Sequence, residues 1–67
     1  MPYGVSYKEI TEIVGKDGIS YDELIDIIIN IKKRLRSHVI LAIGHAEDKG
    51  YIRINMGDIV HLTNKKL

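Results

Sequence analysis

The chain contains no cysteine, tryptophan or phenylalanine, and it has a single proline. Without cysteine it can form neither a disulfide framework nor a thiolate metal site, and this absence favours an intracellular, cytoplasmic location. Every apolar run is far shorter than the roughly 20 residues that a membrane-spanning helix needs. The start of the chain, Met1-Pro2-Tyr3-Gly4, lacks the charged and apolar regions of a signal peptide. We therefore expect neither a membrane protein nor a secreted one.

The 67 residues are enough for one small domain spanning residues 1–67. A chain of this length buries only about 60% of the surface that its unfolded form exposes, so its core is thin and a deep catalytic cleft is not expected. A composition of 45% hydrophobic and 28% charged residues is typical of a folded domain. The thirteen isoleucines and the missing glutamine fit a thermophile, and an AT-rich genome would give a similar bias.

Charge is distributed unevenly along the chain. Residues 1–30 carry two lysines and six acids, a net charge of −4, whereas residues 31–67 carry eight basic residues and three acids, a net charge of +5. The total of +1 therefore hides a polarised molecule. Such an asymmetry points to a polyanionic partner.

Two Ser-Tyr-x-Glu segments predict where helices begin. In a capping box, the serine oxygen accepts a hydrogen bond from the backbone N–H three residues on, and the glutamate reaches back to the serine N–H. Ser6 and Ser20 therefore open helices. The first should run over about Tyr7–Val14 and stop at the glycines that follow. Ile19, between that stop and the second cap, fits a very short extended strand.

Residues 21–49 allow two interpretations, because apolar residues keep a spacing of three to four throughout and no glycine or proline occurs before Gly44. A single helix would be about 43 Å long, which is too long for so small a domain. We therefore favour two helices with a break near Lys33–Ser37, where Asn30 or Ser37 can cap a new start.

The third helix is predicted over about Ser37–Lys49, with Gly50 as the left-handed residue after its end. Gly44 inside it costs up to about 1 kcal/mol relative to alanine. The segment Val39–Ile43 is apolar on every side. Some of Ile40, Leu41 and Ile43 should therefore be buried in a dimer interface, or else this helix is central to the fold and reads no bases.

After Gly50 the period of the apolar pattern changes to two, which predicts a β-hairpin. We expect a three-residue loop, Asn55-Met56-Gly57, that ends in a left-handed glycine. This loop pairs Ile52 with Val60 on one face and Arg53 with Ile59 on the other.

The order of helix, short strand, two helices and hairpin resembles the winged helix-turn-helix family, an α+β fold. The resemblance covers nearly the whole chain and is carried by Asp22-Glu23-Leu24-Ile25, by Ala46-Glu47-Asp48-Lys49-Gly50-Tyr51-Ile52-Arg53, and by His61-Leu62-Thr63. It implies that the third helix enters the major groove of DNA and that the hairpin wing touches the backbone or the minor groove. A homodimer would double the contacts and read a palindrome.

The basic residues fit this mode of binding, because each neutralised phosphate releases counterions. Four of them cluster where the third helix begins, two further candidates lie at the predicted start of that helix, and the others lie in or after the wing. The candidate DNA contacts are Lys32, Lys33, Arg34, Arg36, Ser37, His38, Arg53, Asn55, Lys65 and Lys66. Their alternative interpretation is a solvated surface with an ordinary helix cap.

Enzymatic signals are weak. His45 and Asp48 are one helical turn apart, but no HExxH or Cys/His pattern accompanies them, and no glycine motif that cradles phosphate occurs. We therefore expect no enzyme, metal, cofactor or small-molecule substrate. The sequence predicts a DNA-binding protein that regulates transcription. The alternatives are a protein-interaction module that never touches nucleic acid, and an RNA-binding module that uses the same basic surface.

Overall fold

A computed structural model describes residues 4–65 of the chain. Its elements are α1 (Tyr7–Val14), β1 (Ile19–Ser20), α2 (Tyr21–Lys32), α3 (Arg36–Asp48), β2 (Ile52–Ile54) and β3 (Ile59–Leu62). The predicted α+β class, with three helices, a C-terminal hairpin and a short strand at Ile19, is confirmed. This order and pairing are consistent with a winged-helix topology.

Serine caps start α1 and α2 as predicted. The Ser6 Oγ accepts from the Glu9 N–H at 3.1 Å and donates to the Glu9 carboxylate at 3.0 Å. The Ser20 Oγ accepts from the Glu23 N–H at 3.2 Å. Helix α1 ends at Gly15, which has a φ of 68° that favours glycine.

The predicted break in residues 21–49 is confirmed, because α2 ends at Lys32 and α3 begins at Arg36. Lys33 adopts the left-handed conformation, with φ 55° and ψ 42°, and its N–H donates to the Ile29 carbonyl at 2.8 Å. The N-cap of α3 is Leu35, which offers no side-chain hydrogen bond. The expectation that Asn30 or Ser37 caps this helix is therefore wrong, since the helix starts one residue before Ser37.

The predicted end of α3 is confirmed at Gly50, whose φ is 86°. The Gly50 N–H donates to the Glu47 carbonyl at 3.0 Å, and the Tyr51 N–H donates to the Ala46 carbonyl at 3.0 Å. These two bonds form a Schellman motif, which turns the chain sharply from α3 into β2.

The sheet is antiparallel with the strand order β1-β3-β2, and Ile19 pairs with Val60. The hairpin itself is confirmed, but its predicted register is wrong by two residues. Val60 pairs with Ile54 rather than Ile52, and Arg53 pairs with His61 rather than Ile59. Because the slip is even, each side chain keeps its predicted face of the sheet.

The Asn55 side chain explains this register. Its Oδ1 accepts from the N–H groups of Gly57 at 3.1 Å and Ile59 at 3.2 Å, so that the turn begins at Asn55. The loop proper is Met56-Gly57-Asp58, and the left-handed residue is Asp58, with φ 57°, rather than Gly57. Aspartate tolerates this conformation better than most residues do.

One core holds the three helices against the inner face of the sheet. Among residues 4–65, twelve apolar side chains are buried there: Val5, Ile10, Val14, Leu24, Ile25, Ile28, Val39, Ala42, Ile43, Ala46, Ile52 and Val60. Ile43 lies in the core of a single chain, so a dimer interface is not needed to bury it. Ile40 and Leu41 stay exposed by 38% and 47%.

Candidate nucleic-acid interface

The turn between α2 and α3 carries two neighbouring cations. Lys33 and Arg34 are exposed, and among residues 4–65 no acidic side chain forms an ion pair with either. The Arg34 guanidinium lies against the backbone of Gly4, close to where a side chain at that position would begin. The two cations therefore lie next to each other just before the start of α3.

The first turn of α3 lacks the features that normally complete a helix start. It has no side-chain cap and no acidic residue, and the exposed Arg36 and Ser37 lie there. The leading N–H groups of a helix point outward and carry a partial positive charge, which suits a phosphate oxygen. This end of α3 is therefore positive both in its side chains and in its backbone.

Two of the predicted contacts face acids on neighbouring elements. Lys32 forms an ion pair with Glu9 of α1, and its hydrogen bond holds the pKa of that carboxyl below the ordinary 4.5. The Arg36 guanidinium lies 3.6 Å from Asp26 and 3.8 Å from Asp22 on α2. Exposed pairs of this kind are worth about 0.2–1 kcal/mol, so they tie Arg36 only weakly.

The wing contributes one exposed cation. Arg53 lies on the outer face of β2 opposite His61, at a separate groove formed with residues 62–64. The Asn55 side chain is occupied by the turn, and its Nδ2 lies 3.1 Å from the His61 Nε2. Of the two predicted contacts in the wing, Arg53 is therefore the one whose side chain is exposed and takes no part in the turn.

Three further predicted contacts are Lys65, His38 and Lys66. The Lys65 ammonium donates to the Lys49 carbonyl and lies 4.9 Å above the centre of the Tyr51 ring, so it holds the segment after β3 against the end of α3. His38 is half-buried on α3. Lys66 lies outside the described residues.

The outer face of α3 is apolar and is bounded by acidic side chains. The sequence indicated the apolar residues of this helix but not where the acids lie. Ile40, Leu41 and Gly44 line an open groove of about 310 Å³, and Glu47 and Asp48 lie at its far end. Two further acids, Asp22 and Asp26 of α2, lie within 3.8 Å of the Arg36 guanidinium at the start of α3. The i, i+4 spacing of Asp22 and Asp26 signals this acidic stripe, but not that it lies beside α3.

Tyr21 closes the other side of this groove together with Ile54. Burial raises the pKa of the Tyr21 hydroxyl, and the negative charge of Glu47 raises it further. The groove therefore combines an apolar floor with a negative edge, which repels a phosphate backbone. The structure thus separates α3 into a basic amino-terminal end and an acidic carboxyl-terminal end.

Within residues 4–65, no cluster of three or more potential ligands is placed to hold a metal ion. None of the described helices combines the length and the apolarity needed to cross a bilayer. Comparison of the chain with protein-family models, curated proteins and solved structures finds no match. The fold and the charges of this surface are therefore the basis for assigning a function.

Proposed function

We propose that this domain binds duplex DNA through the α2–α3 turn and the amino-terminal end of α3. The observation that carries the proposal is the pair of exposed cations, Lys33 and Arg34, directly before a helix start without a side-chain cap. Duplex DNA supplies closely spaced phosphates, and neutralising them releases counterions. A phosphate oxygen there takes the role of the missing cap.

The winged-helix-like arrangement supports this docking mode. In such folds the first residues of the third helix reach base edges, and Ser37 occupies that place. Arg53, on the outer face of the wing, is available for a second contact with the DNA backbone. The acids at the far end of α3 keep the rest of the helix away from the DNA, so the helix reaches few base edges and sequence selectivity is modest. We include in this proposal that the domain regulates transcription.

The test is a fluorescence-anisotropy titration of a labelled duplex of about two helical turns at several salt concentrations between about 50 and 200 mM. We expect the affinity to fall linearly on a double-logarithmic plot. The Lys33→Ala/Arg34→Ala variant should bind more weakly to every duplex sequence. Its salt slope should be smaller by about 1 for each phosphate that the variant no longer neutralises.

Lys16→Ala is the matched control, because Lys16 is an exposed lysine in the turn after α1. It should bind with the wild-type affinity and slope. If the double variant and the wild type bind equally well, the proposed surface is wrong. If the wild type binds no duplex even at low salt, DNA binding itself is wrong. A structured RNA of equal length, titrated in parallel, would reveal a preference for RNA.

A second candidate function is binding to another protein through the outer face of α3. It is favoured by the exposed apolar residues Ile40 and Leu41 beside an acidic edge, a surface that fits a protein better than a phosphate backbone. The two functions use opposite ends of the same helix and can be separated by mutation.

A further inference from the structure

The residues of α3 oppose the electrostatics of an isolated helix. A helix has a partial positive charge at its amino-terminal end and a partial negative charge at its carboxyl-terminal end. Helix α3 begins with the exposed cation Arg36, and its last turn has the exposed acids Glu47 and Asp48 together with His45. Each end of α3 therefore exposes formal charges of the sign that its own dipole disfavours.

Gly44, in the middle of this face, is not required by the described part of a single chain. Its φ is not positive, and a Cβ placed there would meet nothing within 4 Å among the described residues. Neither backbone conformation nor internal packing calls for a glycine, although glycine costs about 1 kcal/mol in a helix interior. It leaves a depression on the helix surface beside the exposed side chains of Ile40 and Leu41.

We propose that two copies of this chain associate through antiparallel pairing of their α3 helices. With the two-fold axis midway between Leu41 and Gly44, the leucine of each copy packs into the glycine depression of the other. The same axis places Ser37 of one copy opposite Asp48 of the other, with Arg36 alongside. Each helix start then receives the acidic group that its own first turn lacks.

A second copy fits this face because the face is complementary to itself. A two-fold interface requires every feature to meet its counterpart on the same surface, and here a projection meets a depression and a basic end meets an acidic end. Antiparallel pairing also aligns the two helix dipoles favourably, whereas parallel pairing would set like charges together. Tyr21 and Ile54, at the edge of the groove, extend the apolar contact.

This inference does not rest on DNA binding, but it has a consequence for it. In the pair, Asp48 of the second copy lies beside the helix start that we assign to a phosphate. The dimer and the DNA complex therefore compete for that end of α3, and self-association lowers the affinity for DNA.

The test is sedimentation equilibrium of the full chain without DNA, at low salt, up to several hundred micromolar. We expect a monomer–dimer equilibrium for the wild type. Leu41→Asp should weaken the dimer by at least about tenfold in Kd, because it places a charge at the centre of the contact. Met56→Asp is the matched control, since Met56 is a fully exposed apolar residue at the tip of the wing. It should associate as the wild type does.

A reciprocal change at two facing positions separates association from folding. Asp48→Lys should weaken association even though it improves the electrostatics of its own helix, and adding Ser37→Glu should restore association, because it places an acid opposite the new lysine of the other copy. Circular dichroism spectra should match among all variants. A monomeric wild type would overturn the proposal. So would a Leu41→Asp variant that dimerises as well as the control, or a double variant that associates no better than Asp48→Lys.

Discussion

Helices α2 and α3 are nearly equal in length, with 12 and 13 residues, but they differ in their caps and in the charged residues of their first and last turns. Helix α2 has a serine cap, two acids in its first turn and Lys32 in its last turn. Helix α3 has an uncapped start, a cation in its first turn, a glycine in its middle, and two acids together with His45 in its last turn. Both helices bury an apolar face in the same core. Tertiary packing therefore stabilises α3, and the proposed contacts with DNA and with a second copy would account for the residues of its outer face.

The largest expected effect comes from the face that the two helices share. Ile43→Ala on α3 should lower the free energy of unfolding by about 2–5 kcal/mol, as should Ile28→Ala on α2, because each removes a side chain that is at least 99% buried. A domain of this size has only about 3–5 kcal/mol of stability, so either variant should be largely unfolded in a urea titration. Ile40→Ala, on the exposed face of α3, should cost far less. A similar loss for Ile40→Ala and Ile43→Ala would contradict the assignment of faces.

The difference in capping between α2 and α3 should appear as two changes of opposite sign in the free energy of unfolding. Ser20→Ala removes the cap of α2 and should lower the free energy of unfolding by about 1 kcal/mol. Leu35→Ser gives α3 the cap that it lacks and should raise stability by a comparable amount, since Leu35 is 65% exposed and packs little against its neighbours. Thermal unfolding of both variants checks this. If Leu35→Ser destabilises the domain, the missing cap of α3 does not lower the stability of the domain.

Gly44→Ala sharpens the comparison within α3. Because no described residue lies within 4 Å of the added Cβ, the substitution should raise the free energy of unfolding of the monomer by up to about 1 kcal/mol. Urea titrations at low protein concentration, where self-association does not contribute, provide the measurement. An unchanged or lower stability would mean that the glycine has an internal role.

The smallest effect concerns the Lys32–Glu9 pair, which fastens the end of α2 to α1. Lys32 lowers the pKa of Glu9 in the folded protein, so the pair stabilises the fold above about pH 4.5 and ceases to do so as the pH falls through the lowered pKa. Glu9→Gln should therefore have a slightly lower Tm than the wild type at neutral pH, and the difference should shrink on acidification. A difference that grows as the pH falls would contradict this sign.

Local signals in the sequence predicted most of the fold. The two serine boxes indicated the starts of α1 and α2, and Gly50 indicated the end of α3, because each acts through neighbouring backbone groups. The cap of α3 was mispredicted because its turn uses Lys33 in a left-handed conformation and Leu35 as the cap, neither of which is a usual residue there. The hairpin register was missed because the Asn55 side chain, rather than Gly57, sets the turn.

The candidate site was less accessible to sequence reasoning, because it depends on which charges meet in space. The sequence located the basic cluster, but it did not show that Lys32 pairs with Glu9 or that Arg36 reaches Asp26. It did flag the apolar segment Val39–Ile43. Only packing shows that Ile43 is buried while Ile40 and Leu41 remain outside.

The most direct test of a helix with two different ends is a pair of NMR chemical-shift maps of the backbone amides. Dilution of the protein alone should shift the amides of Leu41, Gly44 and Asp48. Addition of duplex DNA to the dilute protein should shift those of Lys33 and Arg34, whereas Ser37, which both contacts involve, should shift in both titrations. If dilution perturbs Lys33 and Arg34, if DNA perturbs Leu41 and Gly44, or if neither titration perturbs α3, the division of this helix into two contact surfaces is wrong.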